Sequence, residues 1–245
     1  MFDLVSTAEL TASAAIVVFF ISSMLSSTVR QRVLIAAALT LWFCLVLAAG
    51  ATGVLAHSIG PVPGVGVAVL IPLALLTLLV LGTARGREGV RRIPIAALVG
   101  VQGLRVLGIT FVLLYWAKRL PAPFAPTAGW GDVSVGLLAI PLAVLLARST
   151  GATPKGMVVM WNVLGLLDLV TAVALGATSA AGPLRIFYGE PGTAIMTNLP
   201  WVLIPCFLVP SFFFLHLCTL YRLRALAPGK QTESLRSVRM AAPVS

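Results

Sequence analysis

Seven apolar stretches, at about 8–27, 33–56, 63–82, 94–117, 130–147, 157–178 and 199–221, are separated by short polar segments. Each runs for about 18–25 residues, the length a helix needs to cross roughly 30 Å of hydrocarbon. Hydrocarbon offers no water to an irregular backbone, so each stretch reads as a helix. The pattern predicts an all-α polytopic membrane protein, with a seven-helix transmembrane domain over 1–222 and a basic tail over 223–245. The connecting segments leave no room for a folded soluble domain.

Prolines and glycines punctuate the helices. Val69-Leu70-Ile71-Pro72, Leu138-Ala139-Ile140-Pro141 and Val202-Leu203-Ile204-Pro205 share one pattern, with prolines 69 and 64 residues apart. Arg105 and Asp168, on the intervening helices, are 63 apart. A two-helix repeat and a motif common in membrane helices both account for this. Each proline lacks an N–H and is expected to kink its helix, and Pro210 adds a second break in the last one. Gly100, Gly103, Gly108 and Gly165 read first as close-packing positions. The segment 179–198 is the longest outer loop. It reads either as a plain surface loop or as a flap over the mouth of the bundle.

Composition agrees with a bilayer. The chain is 59% hydrophobic and 10% charged, against about 25% charged in soluble domains, and its mean hydropathy is +1.05. The net charge of +10 does not point to nucleic acid, because 13 of the 17 Lys and Arg fall in alternate loops and the C-terminal tail. The opposite side holds only Lys118, Arg119 and Arg185. That asymmetry predicts an outside N-terminus and a cytoplasmic C-terminus, with the basic side and tail against anionic lipid. Tyr115, Trp116, Trp130 and Trp201 fall at the expected outer ends and Trp161 near an inner end, as in an interfacial aromatic belt. The N-terminus lacks the basic run of a secretory signal, so the first stretch reads as retained. Cys44, Cys206 and Cys218 lie in apolar stretches and read as small hydrophobes.

The chemistry lies in the charges inside the spans. Arg105 and Asp168 each sit near the middle of an apolar stretch, where a charge costs roughly 2.5–3.5 kcal/mol. Their helices run the same way, so the two can meet near the midplane as a charge-assisted pair. Such a pair either fixes helix register or serves transport, gating or substrate binding. Gln102 and Gly108 lie three residues to either side of Arg105, on its face. Asp132, in Gly129-Trp130-Gly131-Asp132, is placed at the start of the fifth stretch. It reads there as a helix cap or as an outer vestibule group. In the second case two acids would face one arginine, and the surplus acid would bind a proton or cation. Asn162 falls on a different face from Asp168 and is expected to bond the backbone of a neighbouring helix. Thr110, Ser134, Thr171 and Thr197 are expected to bond their own helices.

Several chemistries are disfavoured. His57 in an outer loop and His216 near the inner end of the last stretch lie at opposite faces, which argues against bis-His haem or a His-rich zinc site. His216 reads as an interfacial polar residue. Nucleophile, phosphate-loop and dinucleotide motifs are absent, and no lysine lies within a span to carry a retinal Schiff base. No cofactor and no metal are expected, and enzymatic activity is not favoured.

The stretches Gly129-Trp130-Gly131-Asp132 and Trp161-Asn162-Val163-Leu164-Gly165-Leu166-Leu167-Asp168, with the apolar run from Leu199 through His216, resemble a group of uncharacterised bacterial multispanning membrane proteins. The resemblance covers roughly residues 94–224. It implies a bacterial inner-membrane location and no particular activity. The leading functional expectation is a small-molecule or proton/ion-coupled transporter whose candidate binding residues are Arg105, Asp168, Asp132, Gln102 and Asn162. The alternatives are a membrane binding or sensory module, a subunit of a larger complex with a partner at the tail, and an intramembrane enzyme acting on lipid. Membrane lipids are the expected surroundings, and nucleic acid is not an expected partner.

Overall fold

The computed structural model describes residues 2–59, 62–149 and 154–225. The tail expected over 223–245 lies almost wholly outside the described residues. Among the described residues, seven helices are long and apolar enough to cross a membrane. Helix α1 spans Phe2–Leu25, α2 Val29–Thr52 and α3 Gly64–Leu81. A short helix, α4 (Ala84–Arg92), precedes the fourth span, which is built from α5 (Ile95–Gly100), a 3₁₀ stretch (Val101–Gly108) and α6 (Ile109–Trp116). Then come α7 (Phe124–Arg148), α8 (Lys155–Ser179) and the seventh span, a π-helical turn (Ile204–Leu208) running into α9 (Val209–Ala225). Outside the helices, Ser58–Ile59 and Val62–Pro63 form a two-residue antiparallel pairing.

Local chemistry sets several boundaries. Thr28 Oγ1 accepts from Gln31 N (3.2 Å) and starts α2, while Gly53, at φ 70°, closes it in the left-handed region that favours glycine. Thr83 caps α4 in the same way, accepting from Gly86 N. The sequence reading treats 83–93 as a loop. It becomes a helix because Thr83 caps it and its one large apolar side chain, Val90, is fully buried among the spans.

Spans four and seven form the interior and the rest wrap them; the seventh is the most buried of all. Trp42 and Phe43 of α2 pack on Phe207 of the π turn, with ring centroids 4.5 and 5.6 Å away. α7 lies against the fourth span so closely that a Cβ on Gly136 would come within 2.5 Å of Val106 N. Leu70, Leu78, Leu137, Leu138, Leu164 and Leu167 point outward. Such a continuous apolar perimeter is the surface a bilayer covers.

Two belt residues are placed otherwise than the sequence suggests. Trp116 and Trp130 are exposed on the perimeter, but Trp161 and Trp201 are buried. Trp161 Nε1 donates to Val135 O (3.0 Å), and Arg119 lies over the Trp201 ring at 5.5 Å. Each indole is held by a partner inside the protein in place of the interface. Pro72 and Pro141 sit inside continuous helices, whereas Pro205 lies in the π-helical turn, where the hydrogen-bond ladder departs from α.

Candidate functional site

Arg105 is the hub. Its side chain is fully enclosed and donates to groups from three other spans. Nε donates to Asp132 Oδ1 of α7 (2.7 Å). Nη2 donates to Asp168 Oδ2 of α8. Nη1 donates to Gly165 O of α8 (3.3 Å) and to His216 Nε2 of α9 (3.0 Å). A guanidinium has donors only, so His216 Nε2 must be the accepting nitrogen. The ring hydrogen then sits on Nδ1 and is donated to Asn162 Oδ1 (2.8 Å). The imidazole is thus a neutral, oriented acceptor. The Trp161 ring packs beside it at 5.1 Å.

The local backbone permits this. Gln102 and Arg105 lie in the 3₁₀ stretch, where residues three apart eclipse, and both face the interior. Gln102 Nε2 donates to Phe212 O (3.2 Å). A methyl on Gly131 would fall on Asp168 Oδ1, and one on Gly165 would fall on the His216 ring. The absent side chain at Gly131 lets the α8 carboxylate pass α7 to reach Arg105. At Gly165 it brings a backbone carbonyl and the imidazole together.

All five expected residues therefore stand in or beside one cluster, and the expectations change for two of them, Asp132 and Asn162, and for two other residues, His216 and Thr110. Asp132 does not begin a helix. It lies eight residues inside α7, which starts at Phe124, and pairs with Arg105 instead of capping. Asn162 bonds a side chain, His216, and not a neighbouring backbone; the imidazole reaches across to it. His216 is not interfacial but fully buried, because its span begins at Ile204 and continues to Ala225. Thr110 bonds Glu9 Oε1 of α1 (3.2 Å) and not its own helix. Ser134 and Thr197 do bond their own segments. The signal that would have found His216 is a polar ring in an apolar run facing three motif residues one helix away.

The cluster holds one guanidinium and two carboxylates. Asp132 and Asp168 are slightly exposed, at 15% and 11% of the side chain. A void of about 40 Å³ touches Arg105, Gly108 and Asp132, room for a water molecule or two. Gln102 Oε1 and Asn162 Nδ2 are buried without a hydrogen-bond partner, so water or a ligand group beside either would gain a bond. Among the described residues no group of three or more His, Cys, Asp or Glu is arranged to hold a metal ion.

A larger cavity, about 360 Å³, lies toward the end of the bundle that carries the N-terminus. It sits between α3 and α8, is floored by Ile204, Pro205 and Val209, and is roofed by the 185–197 segment. That segment folds over the bundle as a flap. Its Arg185 Nη2 donates to Glu190 Oε1 (3.3 Å).

The chain belongs to the family described as a domain of unknown function, DUF8737, whose profile matches residues 62–224. That range contains every residue of the Arg105 cluster, and the first two spans precede it. No curated protein and no solved structure matches the chain.

Proposed function

We propose that this protein is a proton- or ion-coupled transporter of a small molecule in a bacterial inner membrane, with its N-terminus outside, its C-terminus in the cytoplasm and lipid around it. The observation that carries the reading is the two-to-one count at the centre: Asp132 and Asp168 both bond the one guanidinium of Arg105. With both carboxylates ionised and His216 neutral, the cluster bears one net negative charge inside hydrocarbon. A charge there is costly, and one proton or one monocation removes it. The adjoining void supplies the space. Intramembrane carboxylates paired in this way are the usual elements of proton relays.

Infrared difference spectroscopy of the purified chain in nanodiscs tests the count. The expected result is one protonated carboxyl stretch assigned to the centre, absent in both Asp132→Asn and Asp168→Asn. Each variant leaves one carboxylate for one guanidinium. Glu9→Gln removes any contribution from the Glu9–Thr110 pair. A wild-type spectrum with no such band, and no bound cation, refutes the surplus-charge reading.

A second reading, a binding or sensory module or the subunit of a larger complex, is favoured by the complete enclosure of the Arg105 side chain. There the cluster fixes helix register, and its substitution lowers stability without altering any uptake.

A further inference from the structure

The two voids share a wall. Phe111, Ile204 and Val209 line both the 360 Å³ cavity and the 40 Å³ void at Arg105 and Asp132. One layer of side chains therefore separates them. Phe111 lies just beyond the 3₁₀ stretch and Ile204 begins the π turn. The wall adjoins the places where both interior spans depart from α geometry, the kind of stretch that often marks a hinge.

We infer that the larger cavity is the vestibule of the charged centre and that it receives a monocation with an apolar body, of the alkyl- or arylammonium kind. The inference deepens the transporter reading and rests on it. The vestibule's volume is in the range of small-ligand pockets. Its walls select an apolar body: Val65, Val69, Phe124 and Val173 face it, with Ala172, Gly176 and Ala177 of α8 and Ala180 and Ala181 just beyond it. Its own charges, Arg185 and Glu190, are paired and cancel, and the Glu190 carboxylate is 78% exposed. Among the described residues the surplus carboxylate behind the wall is an uncompensated negative charge, and Glu9 of α1, bonded by the Thr110 hydroxyl, adds to it if ionised.

Charge complementarity then chooses among occupants. A neutral apolar molecule fills the vestibule but leaves the surplus charge. An anion adds to it. A monocation balances it and takes the place of the proton, which leaves to solvent without any covalent bond to carbon being made or broken. The charged and titratable groups facing Asp132 in this exchange are Arg105 on the fourth span, Asp168 on α8 and His216 on α9. Glu9 on α1 lies nearby, held by Thr110.

The test compares two probes of like shape and opposite charge, tetraphenylphosphonium and tetraphenylborate, by equilibrium binding to the full chain in nanodiscs, with a pH dye in weak buffer. The inference expects saturable binding of the phosphonium alone, above that of empty nanodiscs, with release of about one proton per site. Ala177→Phe, which fills the vestibule, should weaken binding tenfold or more while the protonated-carboxyl band persists. Ala180→Leu serves if that variant does not fold. Asp132→Asn should weaken binding and abolish proton release. Equal binding of the borate overturns the charge selection. Phosphonium binding indifferent to both Ala177→Phe and Asp132→Asn overturns the vestibule. A carboxyl band without phosphonium binding sinks the vestibule and leaves the transporter reading. Selective binding that responds to both variants but releases no proton supports the vestibule and removes the proton coupling.

Discussion

Two acids on one base should substitute for each other, and that is measurable as non-additivity. Replacing Asp132 or Asp168 singly by Asn loses a charge-assisted hydrogen bond to Arg105, about 1.5–3 kcal/mol. It also removes one charge from the membrane interior, which relieves about 2.5–3.5 kcal/mol if that carboxylate was ionised. The opposing effects leave each single variant between about 0.5 kcal/mol less stable and about 2 kcal/mol more stable than the parent. If the surplus carboxyl already holds a proton, Asn is nearly its isostere and the change is smaller still. The double variant is different in kind. Arg105 then has no counter-charge, and an unpaired buried ion costs about 3–5 kcal/mol. The cycle should close with a coupling of about 2 kcal/mol or more, the double being worse than the sum. Reversible unfolding of the four forms in bicelles, at one pH and one lipid composition, measures it. Additivity within about 0.5 kcal/mol would refute the shared-counterion argument. It would mean that the two carboxylates do not compete for one guanidinium.

Other perturbations probe the scaffold around Arg105. Gly131→Ala and Gly165→Ala place a methyl on Asp168 Oδ1 and on the His216 ring and should each cost about 1–3 kcal/mol by overpacking. Gly156→Ala, with nothing within 4 Å of its added Cβ, should stay within about 0.5 kcal/mol in the same unfolding assay. Trp161→Phe keeps the ring beside His216 but removes the bond to Val135 O, for a loss of about 1 kcal/mol. Thr110→Val deprives Glu9 of its hydroxyl donor and should leave the coupling between Asp132 and Asp168 unchanged, which the same cycle repeated in that background checks.

How far the sequence speaks for the site follows from what each residue's neighbours on the chain reveal. Arg105 and Asp168 are legible because a charge in a long apolar run must be compensated within the membrane. Asp132 is legible as an acid but not at its depth. Phe124 to Gly131 contains Pro126 and two glycines, so hydropathy begins the span at Trp130, while the helix begins at Phe124. Pro126 is tolerated because first-turn N–H groups have no acceptor to lose. His216 is misplaced for a related reason. Its span reads as 199–221, yet the helical part runs Ile204–Ala225, and a shift of four or five residues carries the imidazole from the interface to the centre. The 3₁₀ stretch is not legible in hydropathy; it lies where Gly136 lets α7 come against the Val106 backbone, a contact between elements far apart in the chain.

What joins these pieces is the shape of one side chain. Arg105 uses a planar fork to reach α7, α8 and α9 at once, and the acceptors lie in different directions around it. A lysine keeps the charge but offers three donors from a single nitrogen. It cannot meet Asp132, Asp168, Gly165 O and His216 together. Arg105→Lys should therefore behave as a disruptive substitution despite conserving charge, with a cost of about 1–3 kcal/mol from the acceptor left unpaired. The diagnostic readout is the imidazole. Without an obligate donor at Nε2, His216 is no longer held in the Nδ1–H tautomer, and its ¹⁵N shifts should move toward a mixture. A lysine variant with parental stability and an unchanged His216 spectrum would show that charge alone, and not the guanidinium fork, organises the centre.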